Sequence, residues 1–268
     1  MFLLVLLLRT ADVWAFQQTR TSLGMPVYWG TSEIPFFVGK GGSRDVEGDA
    51  AIEAIKQAAA IWSVVPCSQA RLVFQGVVEK PQASYTAGGS NQNVVYWVED
   101  PEPWPDSLEV LALTTINYVP ATGELQDADM QLNGRSFRWS TKSPTPAGLH
   151  DIMNTAVHEF GHVLGLEHST DTDATMYADS PSGEIKKRDL ASDDIDGICS
   201  IYGKTPEDRL RFEVVSVEDG RRACPEPRPS YEAPPPKQGC EASPIADQSA
   251  VWCWLVLLLW WMRRAPLR

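Results

Sequence analysis

The stretch HEFGHVLGLEH, residues 158–168, contains three of the four histidines of the chain. On a helix, His158 and His162 would lie on one face, one turn apart, where both can reach a single metal ion. His168 would be out of line if the helix simply continued. Gly165 removes that obstacle, because glycine readily adopts the left-handed conformation that ends a helix and turns the chain back. The spacing therefore predicts that three imidazoles meet at one ion.

Three neutral imidazoles are the donor set of a catalytic zinc site, in which the fourth position stays open for water. Glu159 neighbours a ligand on the same helix, where its carboxylate can accept a proton from that water. A single histidine on a helix is usually an ordinary core or surface residue. Five specified positions coincide here, however, which chance would produce in on the order of one chain in 10⁵. The pattern favours the metal site.

This motif resembles the zinc motif of the metzincin metallopeptidases. Ala174 to Tyr177 (ATMY) resembles the methionine-containing turn, or Met-turn, of the matrixin-like branch, so Met176 is the counterpart of the methionine beneath the metal. Residues 190–203 resemble the C-terminal helix of the family. The resemblance covers roughly 27–203 and is strongest at 151–177.

The fold that this resemblance implies is α/β (α+β). It is a metzincin-like catalytic domain with a twisted, mixed five-stranded sheet, an active-site helix, the Met-turn and a C-terminal helix. Substrate would lie extended along an edge strand, and the order of the strands in the chain favours 124–133 as that edge.

The activity that the resemblance implies is that of a zinc-dependent endopeptidase acting on proteins or peptides. One catalytic Zn²⁺ would be held by His158, His162 and His168, and Glu159 would be the general base for a zinc-activated water. The alternative is a surface-anchored binding or adhesion protein that retains a structural or vestigial zinc site. The anchor-like C-terminal tail supports the alternative, whereas the presence of every group needed for hydrolysis argues against it.

The chain also departs from the family pattern. No cysteine precedes Cys67, so control by a propeptide cysteine is not expected. No histidine precedes His150, so the second, structural zinc of many matrixins is not expected, and His150 itself is expected at the surface. Asp127 and Asp129 are candidate calcium ligands, although acidic loop residues are more often simply solvated.

Charge and patterning complete the picture of the domain. A net charge of −12 excludes the basic face of a nucleic-acid-binding protein, and a monomer is expected. Apolar periodicity and capping residues predict three helices: one capped by Asp49 and ending before Pro66, one from Asp151 to about Leu164, and one from Ser192 to about Tyr202. Strands are predicted to begin at 27–29 and to cover 71–75, 93–98, 111–118 and 124–132.

The two ends of the chain differ from its middle. Residues 1–15 are typical of a signal peptide, with an apolar run and a Val-x-Ala site that makes Phe16 the mature start; the alternative is a buried strand. The peptidase domain is then 16–203. A Pro-rich stalk is predicted at 204–248, since 225–244 contains seven of the 20 prolines.

Residues 249–268 are predicted to be a hydrophobic anchor or sorting tail. The run is apolar, it has tryptophans at both ends, and three arginines follow. It resembles the MYXO-CTERM sorting tails of exported proteins, although thirteen apolar residues are also compatible with a core helix. The resemblance implies an exported protein that contacts the membrane through this tail, either anchored at the cell surface or secreted after the tail is processed.

Export would place the cysteines in an oxidising compartment, where disulfides form. Cys253 lies in the apolar tail, and the other four cysteines allow three connectivities. The domain division favours Cys67–Cys199 in the peptidase domain and Cys224–Cys240 in the stalk.

Overall fold

The structure is a computed structural model of the chain that describes residues 15–46, 49–205 and 241–244, the last four as backbone. The predicted signal peptide before Ala15, most of the predicted stalk, the hydrophobic tail and the pair Cys224–Cys240 lie outside the described residues. Among the helices that are described, none is long and apolar enough to cross a membrane.

A mixed sheet and three α-helices make up the domain, which confirms the α/β fold class. The elements are β1 Glu33–Gly39, α1 Ala50–Ser63, β2 Arg71–Val78, β3 Val94–Val98, β4 Ala112–Tyr118, β5 Leu125–Asn133, β6 Trp139–Ser140, β7 His150–Asp151, α2 Ile152–Val163, a 3₁₀ turn Lys186–Arg188, α3 Ser192–Tyr202 and β8 Glu241–Pro244. The order of the main sheet is β2-β1-β3-β5-β4-β8, and every neighbouring pair is parallel except β4 and β5.

Five of the six strands belong to the predicted peptidase domain, and the sixth does not. Strand β8 comes from the region 204–248, which the proline content assigns to an extended stalk. It pairs with β4 and so extends the sheet at that end. The extended backbone that proline favours is compatible with a strand at a sheet edge, where an N–H can be missing without loss.

The prediction that 124–133 forms the edge is wrong. Strand β5 lies between β3 and β4, and β4 lies on the side away from β3. A short turn joins β4 to β5 as an antiparallel hairpin, with Gly123 at φ 79°. Because β5 pairs with β3 on its other side, β4 lies on the side of β5 that faces away from β3. Order along the chain therefore does not give order in the sheet.

The prediction for the first strand is also wrong. Residues 27–29, which the structure does describe, make only an isolated bridge from Tyr28 to Glu124. Strand β1 begins at Glu33 and contains Pro35, a residue that cannot donate to a ladder and is rare inside sheets. Its carbonyl instead accepts a hydrogen bond from Asn93 Nδ2 at 2.8 Å.

The helices begin close to where capping predicts. The Asp151 side chain accepts the N–H of Asn154 at 2.7 Å and so caps α2. Asp49 occupies the cap position of α1, but its side chain makes no capping hydrogen bond with the described residues. In α3, the Asp194 carboxylate in the first turn accepts the N–H of Ala191 at 2.8 Å.

The core lies between the sheet and the helices. Trp62 on α1 is buried and donates its indole N–H to the carbonyl of Val157 on α2 at 2.7 Å. Phe36 on β1 packs edge-on against Phe160, with ring centroids 5.2 Å apart. A disulfide joins Cys67, beyond the end of α1, to Cys199 on α3, with Cα atoms 5.5 Å apart. The Trp62 and Phe36 contacts fix α2 against both α1 and the sheet, and the disulfide links the segment after α1 to α3.

Candidate metal centre

Helix α2 presents two imidazoles from consecutive turns. The rings of His158 and His162 are both buried, and their centroids are 4.9 Å apart. His168 enters from the segment after the helix, with its ring centroid 5.2 Å from that of His158 and 4.8 Å from that of His162. The three rings therefore surround one point.

A sharp turn after α2 brings His168 back. Gly165 has φ 88°, and its N–H donates to the carbonyl of His162 at 2.9 Å. A Cβ at this position would lie 2.8 Å from the carbonyl oxygen of Val27, so both conformation and space require glycine. Thr19 N–H donates to the Gly165 carbonyl at 2.9 Å, which ties the turn to the N-terminal segment.

Backbone carbonyls orient both helical imidazoles. His158 Nδ1 is 2.7 Å from the carbonyl oxygen of Thr175, and His162 Nδ1 is 2.8 Å from that of Leu166. A carbonyl oxygen only accepts, so Nδ1 carries the proton in both rings and the Nε2 lone pair faces the common point. Burial lowers the pKa of both histidines, that of His162 to about 3, with the charge on His168 contributing to both shifts. Both rings are therefore neutral at neutral pH, the form that binds metals.

The donor set fits a zinc ion. At Zn–N distances of about 2.0–2.1 Å, two nitrogens of a tetrahedral site are about 3.3–3.4 Å apart. His162 Nε2 and His168 Nε2 are 3.3 Å apart. His158 Nε2 is buried and finds no hydrogen-bond partner among the described residues, an arrangement that a metal ion would satisfy. Within the described ranges, this triad is the only group of three or more His, Cys, Asp or Glu residues placed to hold a metal.

Glu159 follows His158 on α2, and its side chain is held from the sheet. Its side chain is fully buried, and its Oε2 accepts a hydrogen bond from Thr114 Oγ1 on β4 at 2.6 Å. The hydroxyl also lies 3.5 Å from the Glu159 carbonyl oxygen. The carboxylate is thus held on the side of α2 that faces β4.

A methionine lies beneath the histidines. Met176 is buried, and a Cβ on Gly161 would lie only 2.2 Å from its Sδ, so the methionine packs directly on the backbone of α2. The Asp194 carboxylate fixes this turn by accepting the N–H of Thr175 at 2.7 Å and of Met176 at 3.0 Å. The same turn supplies the Thr175 carbonyl that orients His158.

A family model described as matrixin matches residues 29–203. The chain belongs to the matrixin family.

Several proteins are similar to this matrixin over part of their length. Metalloendoproteinase 1 of Glycine max is 50% identical over 66 residues, which is 25% of this chain and 21% of that protein. Matrix metalloproteinase-18 of Xenopus laevis is 32% identical over 153 residues, 57% of this chain and 28% of that protein. Human neutrophil collagenase is 31% identical over 153 residues, 56% and 28% of the two chains. The chain thus covers less than a third of the length of each of these three relatives.

The loop after the Met-turn packs on α2 through residues that sequence reasoning missed. Lys187 is fully buried, donates to the carbonyl of Tyr177, and places Nζ 3.4 Å from His158 Nδ1. Its backbone N–H donates to Asn154 Oδ1 at 2.8 Å, and Asn154 Nδ2 donates to Ser180 Oγ at 3.2 Å. A lysine in such a loop normally indicates a solvated segment, so no sequence signal marks Lys187 as buried.

Two other candidates lie away from the triad. His150 is buried rather than exposed, which corrects the expectation of a surface residue, because it packs against the rings of Phe137 and Trp139 at 5.0 and 6.3 Å. Asp127 and Asp129 are not in a loop but on β5, and both are buried. Asp129 accepts the N–H groups of Ser84 and Val94, each at 3.0 Å.

Proposed function

We propose that this matrixin is a zinc-dependent endopeptidase that hydrolyses peptide bonds in proteins or peptides. One observation carries the proposal: three histidine nitrogens face a common point, and Glu159, which follows His158 on the same helix, is buried with them. Zinc held by His158, His162 and His168 would polarise the scissile carbonyl and lower the pKa of the attacking water. The remaining chemistry belongs to side chains of the chain itself.

Glu159 is the proposed general base. It accepts the proton of the attacking water and passes it to the leaving amine. Thr114 acts as a positioning residue, since its hydroxyl holds one oxygen of this carboxylate in place. The carbonyls of Thr175 and Leu166 keep the His158 and His162 rings in the tautomer that a metal requires.

The substrate would lie extended along the outer edge of β4. This edge lies opposite β5 and is the one on which β8 pairs, and Thr114 of the same strand contacts Glu159. An extended peptide at normal interstrand spacing, about 4.7–4.9 Å from β4, would lie close to the carboxylate. The buried Lys187 and the hydrogen bond between Asn154 and Ser180 hold the loop after the Met-turn against α2, and this packed loop would form a wall beside the substrate.

The test compares Glu159→Gln and His162→Ala with the unmodified chain on casein, an unfolded protein substrate. We expect Glu159→Gln to retain one zinc per chain and lose cleavage, whereas His162→Ala loses both. His150→Ala is the matched control, because His150 lies outside the triad, and it should keep zinc and activity. A Glu159→Gln variant that cleaves as fast as the unmodified chain would show that the proposed mechanism is wrong.

The alternative, a surface-anchored binding protein with a vestigial zinc site, makes a different prediction. Such a protein binds zinc but leaves unfolded proteins intact, and a chelator changes nothing in the cleavage assay. The endopeptidase loses activity on chelation and regains it when zinc is returned. The three-histidine donor set with a buried Glu159 on the same helix favours the enzyme, because a purely structural zinc site is closed by four ligands and needs no base.

We further propose export of the chain as a monomer, with a signal peptide at 1–15, the peptidase domain at 16–203, a stalk at 204–248 and an anchor or sorting tail at 249–268. Support comes from the apolar and proline-rich patterns at the ends of the sequence. Mass spectrometry of the exported protein tests both termini and the predicted pair Cys224–Cys240.

Calcium at Asp127 and Asp129 stays a prediction, and a calcium-dependent rise in melting temperature that Asp127→Asn abolishes would support it.

A further inference from the structure

Strand β8 occupies the outer edge of β4, the strand whose Thr114 contacts Glu159. The two strands are parallel, with Leu113 opposite Glu241, Thr114 opposite Ala242, Thr115 opposite Ser243 and Ile116 opposite Pro244. The strand order leaves β4 between β5 and β8. Both edges of β4 are therefore filled by segments of the same chain.

The position of this pairing along β4 matters. Thr114, which holds Glu159, lies in the paired stretch, opposite Ala242. Paired strands are about 4.7–4.9 Å apart, so the backbone of residues 241–244 lies within one strand spacing of the residue that positions the proposed base. A substrate reaching that base along β4 needs the same backbone N–H and C=O groups that β8 uses.

We propose that residues 241–244 are an autoinhibitory strand that competes with substrate for the outer edge of β4. This inference rests on the proposed endopeptidase function, because only a peptidase has a substrate to exclude. Main-chain pairing is the recognition mode, as in other complexes in which an extended segment adds to a free sheet edge.

The hydrogen-bonding pattern of parallel strands indicates which residues of β8 bond to β4. In a parallel pair, alternate residues direct their N–H and C=O groups towards the partner strand. Pro244 has no N–H to donate, which places Pro244 and Ala242 in the set that faces away and Glu241 and Ser243 in the set that faces β4. A substitution that removes the N–H of residue 243 therefore removes one ladder bond.

The covalent connection between β8 and the domain favours occupation of the β4 edge by β8 without making it permanent. Residues 206–240 connect the described end of the domain to β8, a tether of 35 residues. Because β8 belongs to the same chain as β4, the pairing is intramolecular, and effective concentrations on the order of millimolar favour even a short strand over dilute substrate. A four-residue strand has few hydrogen bonds, so a longer or more concentrated substrate can displace it. Competition between β8 and substrate would raise the apparent KM and leave kcat unchanged.

The experiment compares Ser243→Pro with Ser230→Pro in the full chain. Both exchange serine for proline in the region after residue 205, but only Ser243→Pro removes a ladder donor. Cleavage of an unstructured peptide gives kcat and KM for each chain. Hydrogen exchange of the peptide covering Ala112–Tyr118 reports the β4 edge directly, and it is measured in the Glu159→Gln background so that self-cleavage and activity play no part.

For Ser243→Pro we expect KM to fall between about twofold and tenfold, the effect of one hydrogen bond. We expect kcat to stay unchanged and exchange in β4 to become faster, while Ser230→Pro behaves like the unmodified chain in every measurement. Equal KM values for the two proline variants, or unchanged exchange in Ser243→Pro, overturn the autoinhibitory strand.

Failure of the two proposals is distinguishable. If Glu159→Gln cleaves as fast as the unmodified chain, the endopeptidase mechanism fails and the inhibitory role of β8 fails with it. If Glu159→Gln is inactive and Ser243→Pro leaves KM unchanged, only the autoinhibitory strand is overturned.

Discussion

The backbone N–H of Phe16 donates a hydrogen bond to Asp193 Oδ1 at 2.8 Å. Asp193 lies in the first turn of α3, and its other oxygen accepts the hydroxyl of Ser169 at 2.6 Å. Ser169 directly follows His168 in the chain. One carboxylate therefore joins the N-terminal segment, α3 and the turn that carries the third histidine.

We expect Asp193→Asn to weaken this junction. Hydrogen bonds to charged groups contribute about 1.5–3 kcal/mol, so the free energy of unfolding should fall by roughly this amount in urea denaturation. Asp49→Asn is the control, since Asp49 is exposed and its side chain makes no capping bond with the described residues, and it should change the free energy by less than about 0.5 kcal/mol. Equal losses in the two variants would contradict a specific role for Asp193.

Thr114→Val should reduce turnover without disturbing the metal site. Valine keeps the shape of the side chain and removes the hydroxyl that holds Glu159. A hydrogen bond to a carboxylate corresponds to a roughly tenfold to hundredfold fall in kcat, with zinc content and KM unchanged. Thr115→Val is the matched control, because successive side chains of a strand point to opposite faces. If Thr115→Val lowers kcat equally, the hydroxyl of Thr114 is not what positions the base.

Gly161→Ala tests the packing of the Met-turn on α2. Alanine normally stabilises a helix by about 1 kcal/mol relative to glycine. Here the new methyl group would lie 2.2 Å from Met176 Sδ and 3.2 Å from Trp62 Cζ2. We expect the opposite sign, a loss of about 1–3 kcal/mol measured by thermal unfolding.

A double-mutant cycle separates this packing effect from a general effect of the substitution. In a Met176→Ala background the thioether is absent, so Gly161→Ala should cost much less. An equal cost in both backgrounds would show that contact with Met176 is not the cause.

The buried pair Asp127 and Asp129 should make stability depend on pH. Burial, followed by repulsion from Asp129, raises the pKa of Asp127 to about 8, and burial raises that of Asp129 to about 6, against 3.8 for ordinary aspartate. The folded chain therefore binds these protons more tightly than the unfolded chain. The stabilising contribution is complete below about pH 4 and is lost as the pH rises towards 8.

Asp127→Asn removes the more strongly shifted carboxyl. We expect the free energy of unfolding of the unmodified chain to decline between pH 4 and 8 more steeply than that of the variant, when both are measured by urea denaturation at a series of pH values. Identical slopes would contradict the assignment of this pH dependence to the pair.

Local patterns predicted the helices and most strands well. The capping residue Asp151 and the apolar periodicity after it place α2 within a residue of its observed ends. Strand β1 was missed because Pro35 is a local signal against a strand, and only its neighbours in the sheet override it. The inner position of β5, between β3 and β4, is not predictable in this way, because sheet order depends on which strand of a hairpin meets β3 and local sequence does not encode that choice.

The same distinction between local patterns and long-range contacts holds at the metal centre. Residues 158–168 are predictable as a group because their chemistry lies within one helix and one turn. Thr114 reaches Glu159 from a strand 45 residues earlier. Lys187 is buried with its Nζ 3.4 Å from His158 Nδ1, although lysine is rarely buried. Contacts between distant segments depend on the complete fold, and no spacing rule in the sequence indicates them.

The disulfide between Cys67 and Cys199 encloses both Thr114 and the whole 158–168 motif in one covalent ring, since 132 positions separate the two cysteines. A peptidase is exposed to its own activity, and its surface loops are the segments most open to a cut. A single cut anywhere inside this ring leaves the two pieces linked through sulfur. A chain nicked by a neighbouring molecule of the proposed peptidase therefore releases no fragment, and it separates into two pieces only after reduction.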